Sequence, residues 1–118
     1  MTHTFLEQQG EPGEQRLTVE GDLDLAGAPR LEEWASRVLE AGAKHLVLDL
    51  SQTTFIDSTA IRGVLRAHEL AHEVGSSFVV VVEHNSVMRV FEITGLDKTL
   101  AIKRPPPHPV IAKGVKQR

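Results

Sequence analysis

The stretch "HLVLDLSQTTFIDSTAIRGVLRAHELAHEVG", residues 45–75, contains a change of hydrophobic period that decides the fold. From His45 to Leu50 it is almost wholly apolar and too short for an independent helix, as expected of a strand covered on both faces or at the centre of a sheet. A polar turn then leads to Phe55 and Ile56, and Asp57 stands where it can cap a helix beginning at Ser58. Within that helix Ala60, Val64, Ala67, Ala71 and Val74 recur at intervals of four, three, four and three, with Ile61 and Leu65 widening the stripe. Arg62, Arg66, Glu69 and Glu73 form the opposite, solvated side, and Gly75 ends the helix.

Outward from this unit the same signals repeat. On the N-terminal side, "HTFLEQ" and "RLTVEG" read as a hairpin around the turn-forming "GEPGE". After "GDLDLAG", Pro29 suits a first helical turn, and Leu31, Trp34, Val38 and Leu39 give an amphipathic helix closing at Gly42. On the C-terminal side, "SFVVVVE" has the β-branched density of a central strand. "NSVMRVFEITG" is a helix with Asn85 or Ser86 as cap and Gly95 as terminator, and "TLAIK" is a last strand. The order β-β-α-β-α-β-α-β makes part of the sheet parallel. The expectation is a single α/β domain over residues 1–103, a mixed sheet with helices packed mainly on one face. Residues 104–118, "RPPPHPVIAKGVKQR", read as a proline-rich basic tail, extended or disordered.

Composition narrows the function classes. The 118 residues include 41% hydrophobic and 25% charged side chains, an ordinary balance for one globular domain. No window provides the run of about 20 apolar residues that a spanning helix needs, and the first residues carry no secretory pattern, so a cytoplasmic setting is expected. Cysteine is absent, which removes disulfides, thiol nucleophiles and zinc–thiolate sites. Residues 1–102 hold eight basic against sixteen acidic side chains, a formal −8. Such a body repels nucleic acid and acidic membrane, and 4% aromatics leaves little for base stacking.

The chemistry worth weighing gathers at the mouth of the second helix. A helix start offers unpaired N–H groups and the positive end of a dipole, so a phosphate added to a first-turn hydroxyl, Ser58 or Thr59, would find donors. The competing reading is that Asp, Ser and Thr sit there only to satisfy the backbone. His68 and His72 are spaced i, i+4, yet no third ligand is evident, so no metal is expected. "GDLD" reads as a solvated turn rather than a cation site. "IDSTA" is not the Gly-x-Ser-x-Gly elbow, and no Gly-x-x-x-x-Gly-Lys-Ser/Thr loop supports the alternative of a nucleotide-binding protein. Neither catalysis nor a cofactor is expected.

Three segments together are specific: "GDLD" at 21–24, "FIDSTAI" at 55–61 and "VMRVFEITGLDKTL" at 87–100. In this order and spacing the chain resembles the STAS domain of bacterial anti-sigma factor antagonists over about residues 14–102. The resemblance implies a protein-binding module that is not an enzyme. It implies an anti-sigma factor partner with GHKL-type serine kinase activity, which phosphorylates Ser58, with Thr59 the second choice. The unmodified protein binds that partner and frees a sigma factor, phosphorylation ends the binding, and a PP2C-type phosphatase restores it. Asp22 and Asp24 map onto the family's first acidic motif, near the phosphosite. With Asp57, Ser58, Thr59, Arg62 and Arg66 they make up the expected partner surface, on a monomer or weak dimer. Thr59 and Ala60 stand where the family commonly has Ser-Gly. Arg62 and Arg66 replace small residues found in many antagonists, so the partner offers carboxylates or is of another class. The rivals within the fold are a stressosome scaffold subunit and a STAS subunit of a lipid-transport ATPase.

Overall fold

A computed structural model of the chain describes residues 3–105. Strands β1 (His3–Gln9) and β2 (Glu14–Leu23) form the expected antiparallel hairpin. Helix α1 (Ala28–Glu40), strand β3 (His45–Ile56), helix α2 (Ser58–Glu73), strand β4 (Ser77–Val82) and helix α3 (Asn85–Thr94) follow. A short 3₁₀ turn at Leu96–Lys98 then leads to β5 (Ala101–Lys103). Among the described residues the sheet has five strands in the order β1-β2-β3-β4-β5, and every pair after the hairpin is parallel. This is the single mixed α/β domain that the element order implies.

One face of the sheet is dry. Leu46, Leu48 and Leu50 of β3 lie in register with Phe78, Val80 and Val82 of β4, and all are buried. Their alternate neighbours Val47, Asp49, Val79 and Val81 are only half-buried. Among the described residues the strands are therefore central in the sheet but covered by helices on one face only, which corrects the two-sided option. Asp49 is accommodated on the open face, where its carboxylate accepts a 2.7 Å bond from the Arg16 guanidinium.

The polar segment after Leu50 is a second correction, because β3 continues through it to Ile56 instead of turning. The parallel register between β2 and β3 is irregular between Thr18 and Glu20 and again between Gly21 and Asp22. At the first irregularity the buried Thr53 hydroxyl donates to the carbonyl of Val19, which has no register partner on β3, at 2.7 Å. At the second, Gly21 has φ 93°, a conformation that a side chain would strain. The glycine of "GDLD" is thus a backbone requirement at the register shift that precedes Asp22.

Helices α1 and α2 pack through small residues. A Cβ at Gly63 would lie 3.1 Å from the Ala28 carbonyl oxygen and 3.4 Å from Leu31 Cδ1, so glycine sets the separation of the helices. Around this contact Leu31, Trp34 and Ala35 meet Ala60, Val64 and Ala67, all buried in one core. Val74, assigned to the same stripe by periodicity, is 64% exposed. It lies beyond the last turn as the C-cap of α2, where the period no longer dictates direction. Helix α3 buries Val87 and Phe91, and its cap position is His84, ahead of both expected candidates, Asn85 and Ser86. Arg104, on the tail side of the sequence boundary, donates to the Glu83 carbonyl at 2.6 Å and to Asn85 Oδ1 at 3.2 Å. Residues 106–118 of the proposed tail lie outside the described residues.

Candidate functional site

The C-terminal ends of parallel β2 and β3 meet the start of α2, the location where open α/β sheets commonly bind ligands. Asp57 is in extended conformation and caps α2, its Oδ1 accepting the Ala60 N–H at 2.9 Å. The Asp57 carbonyl accepts from Ile61 at 3.0 Å. Ser58 is the first residue of the helix and is exposed, whereas Thr59 is half-buried. The amides of Ser58 and Thr59 have no acceptor among the described residues, so the positive end of α2 opens beside the Ser58 hydroxyl.

Tertiary structure brings the first acidic motif to the same place. The Asp57 N–H donates to the Leu23 carbonyl at 3.2 Å, and Leu23 is the residue between Asp22 and Asp24. Asp22 is in register with Phe55, at the end of β3. Asp24 also shapes its own turn, its Oδ1 accepting the Ala26 N–H at 3.1 Å and its carbonyl accepting from Gly27 and Ala28. It thus guides the entry into α1, and His3 Nδ1 lies 4.0 Å from its carboxylate. Three carboxylates and two hydroxyls are therefore drawn from two separate segments to one end of the sheet.

The two arginines of α2 diverge. Arg66 faces an acidic cluster, with guanidinium nitrogens 3.5 Å from Glu32 of α1, 3.5 Å from Glu69 and 4.0 Å from Glu73. Its charge is committed to the junction of α1 and α2. Arg62, one turn after Ser58, is exposed and makes no ion pair among the described residues. Of the pair, Arg62 is the cation that the mouth of the helix can use.

Two apolar residues escaped the sequence reading. Leu25, directly after "GDLD", is 67% exposed, and Phe55, just before the cap, is 51% exposed. The available signal was the phase of β3: Ile56 points into the core, so its neighbour Phe55 must point away. Elsewhere, the rings of His68 and His72 stack with centroids 6.2 Å apart, and His68 also lies 6.1 Å from Phe78. No group of three potential metal ligands occurs among the described residues. Nor is any helix among them long and apolar enough to cross a membrane.

The chain and its fold have known relatives. A family model described as "Mlab, STAS domain" matches residues 6–105. The chain belongs to the STAS domain family. It is 32% identical over 88 residues to the anti-sigma-F factor antagonist RsfB of Mycobacterium tuberculosis, covering 73% of this chain and 70% of that protein. It is 25% identical over 80 residues to an anti-sigma-B factor antagonist of Staphylococcus aureus, covering 68% and 74% respectively. Among solved structures, an anti-sigma factor antagonist from Mycobacterium paratuberculosis superposes with a TM-score of 0.77 at 27% identity, covering 95% of this chain and 93% of that one.

Proposed function

We propose that this chain is an anti-sigma factor antagonist whose attachment to its partner is switched by phosphate on Ser58. The observation that carries the reading is the exposed Ser58 hydroxyl at the first position of α2, beside the capping Asp57 and the end of β2, where Asp22 and Asp24 flank Leu23. The antagonist names of the mycobacterial and staphylococcal relatives support it.

Unmodified, the protein binds an anti-sigma factor with GHKL-type serine kinase activity and releases the sigma factor. Exposed Leu25 and Phe55 supply apolar contact, and Arg62 meets a carboxylate of the partner. In the transfer, the Ser58 oxygen attacks the γ-phosphorus of ATP held by the partner. The bond to ADP breaks, and the hydroxyl proton passes to the kinase's base. The product carries about −1.5 to −2 additional charge next to Asp57, and repulsion and desolvation oppose rebinding. A PP2C-type phosphatase reverses the change. The chain contributes no catalysis of its own.

The test combines phosphosite mapping with calorimetric titration against a recombinant GHKL-type anti-sigma factor. Phosphate is expected on Ser58 alone, with none on Ser58→Ala, and phosphorylation should weaken binding by more than a hundredfold, equivalent to about 3 kcal/mol. Phosphate on another residue, or undiminished binding after modification, overturns the reading. The match to a STAS domain model leaves one second reading within the fold, an accessory STAS subunit of a lipid-transport ATPase. Co-purification with such an ATPase and no kinase would select it.

A further inference from the structure

We infer that Arg62 is an internal clamp for the phosphate on Ser58, so that modification ties the first turn of α2 to its second. This rests on the phosphoswitch reading and specifies what the modified form becomes. Ser58 and Arg62 are at i and i+4 on one helix, where side chains lie one above the other with Cβ atoms about 5–6 Å apart. Both are exposed.

The decisive contrast is with Arg66. That guanidinium is held among Glu32, Glu69 and Glu73, whereas Arg62 has no ionic partner among the described residues. No ion pair among the described residues has to be broken for Arg62 to turn toward position 58. A guanidinium presents a planar fork of donors that matches a phosphate, and a phosphate dianion offers three acceptor oxygens. The opposing groups at the mouth are Asp57, which remains bound to the Ala60 N–H, and Asp22 and Asp24 on the β2 side. They repel the phosphate from one side while Arg62 attracts it from the next turn.

The modified protein is then more stable than the unmodified one, because the new bonds lie within the chain. Arg62 is also withdrawn from the docking face at the moment the phosphate appears. The same residue that meets a partner carboxylate in the unmodified form is satisfied internally, and the partner loses a contact as well as meeting a repulsive charge.

The experiment uses the full chain with phosphoserine encoded genetically at position 58, which removes dependence on any kinase. Thermal midpoints and the second ionisation of the phosphate, followed by phosphorus NMR, are measured in the parent and in Arg62→Gln, each with and without the phosphate. In the parent, phosphate should raise the midpoint. The second phosphate pKa should be lower than in Arg62→Gln by about 0.2–0.4 unit, the scale of one exposed helical charge pair. Arg62→Lys should recover part of the shift, and added salt should shrink it.

Equal ionisation and equal midpoint increments in parent and Arg62→Gln overturn the clamp. A loss of stability in Arg62→Gln that is the same without phosphate assigns Arg62 a structural role and also overturns it. Titrating the same phosphoprotein with the anti-sigma factor separates this inference from the one beneath it. Full-strength binding there removes the switch reading whether or not the clamp coupling is present.

Discussion

Replacing Asp57 tests the architecture of the helix mouth directly. Its carboxylate makes the 2.9 Å capping bond to Ala60 and places a negative charge at the positive end of α2. Loss of an N-cap side chain costs about 1 kcal/mol, and loss of a favourable charge–dipole interaction about 0.5 kcal/mol more. Asp57→Ala should therefore destabilise by about 1.5 kcal/mol. Asp57→Asn keeps a capping oxygen and should cost only about 0.5 kcal/mol. For a domain of about 100 residues the unfolding entropy is about 0.2 kcal/mol/K, so the expected losses in midpoint are about 7 °C and about 2–3 °C. Calorimetry on both variants, checked by urea unfolding, reads these shifts. Equal midpoints for the two variants, or an alanine variant indistinguishable from the parent, would refute the assignment of Asp57 as the cap.

Gly63→Val should separate α1 from α2, since the first added atom already lies 3.1 Å from the Ala28 carbonyl and backbone cannot move aside as a side chain can. A cost of about 1–3 kcal/mol in urea unfolding is expected, while a neutral effect would show that the helix contact is loose. The Glu33 carboxyl is held below its ordinary value chiefly by the hydrogen bond from Arg37, which also reaches Glu7 of β1. The folded state thus binds fewer protons than the unfolded chain in the glutamate range, so this contribution is present above that range and is lost as pH falls through the lowered folded value. Glu33→Gln should lower the neutral plateau slightly and flatten the acid limb of the stability profile, and an unchanged acid limb would argue against the link.

The elements themselves were legible because each is governed by local periodicity. The spacing of Ala60, Val64, Ala67 and Ala71 marks a buried helical face, and the β-branched density of Ser77–Val82 marks a central strand. Val74 escaped because periodicity carries no information about where the last turn releases its side chain. "SQTT" escaped for a different reason: its polarity resembles a turn, while its hydroxyl and amide groups are those of a strand with one wet face and an irregular register. The partner of Thr53 is a carbonyl 34 residues away, a pairing that no window of sequence contains.

The same division holds at the site. The sequence by itself determined that an acid and two hydroxyls open a helix behind a strand, because capping chemistry and hydrophobic period are properties of neighbouring residues. Only the tertiary structure decided that the carbonyl between Asp22 and Asp24 receives the Asp57 amide, that Arg66 is neutralised across to α1 while Arg62 stays available, and that Phe55 and Leu25 face outward. Those outcomes depend on which distant segments the parallel pairing of β2 and β3 and the close approach at Gly63 bring into contact. That geometry gathers charge and exposed apolar surface at this end of the sheet.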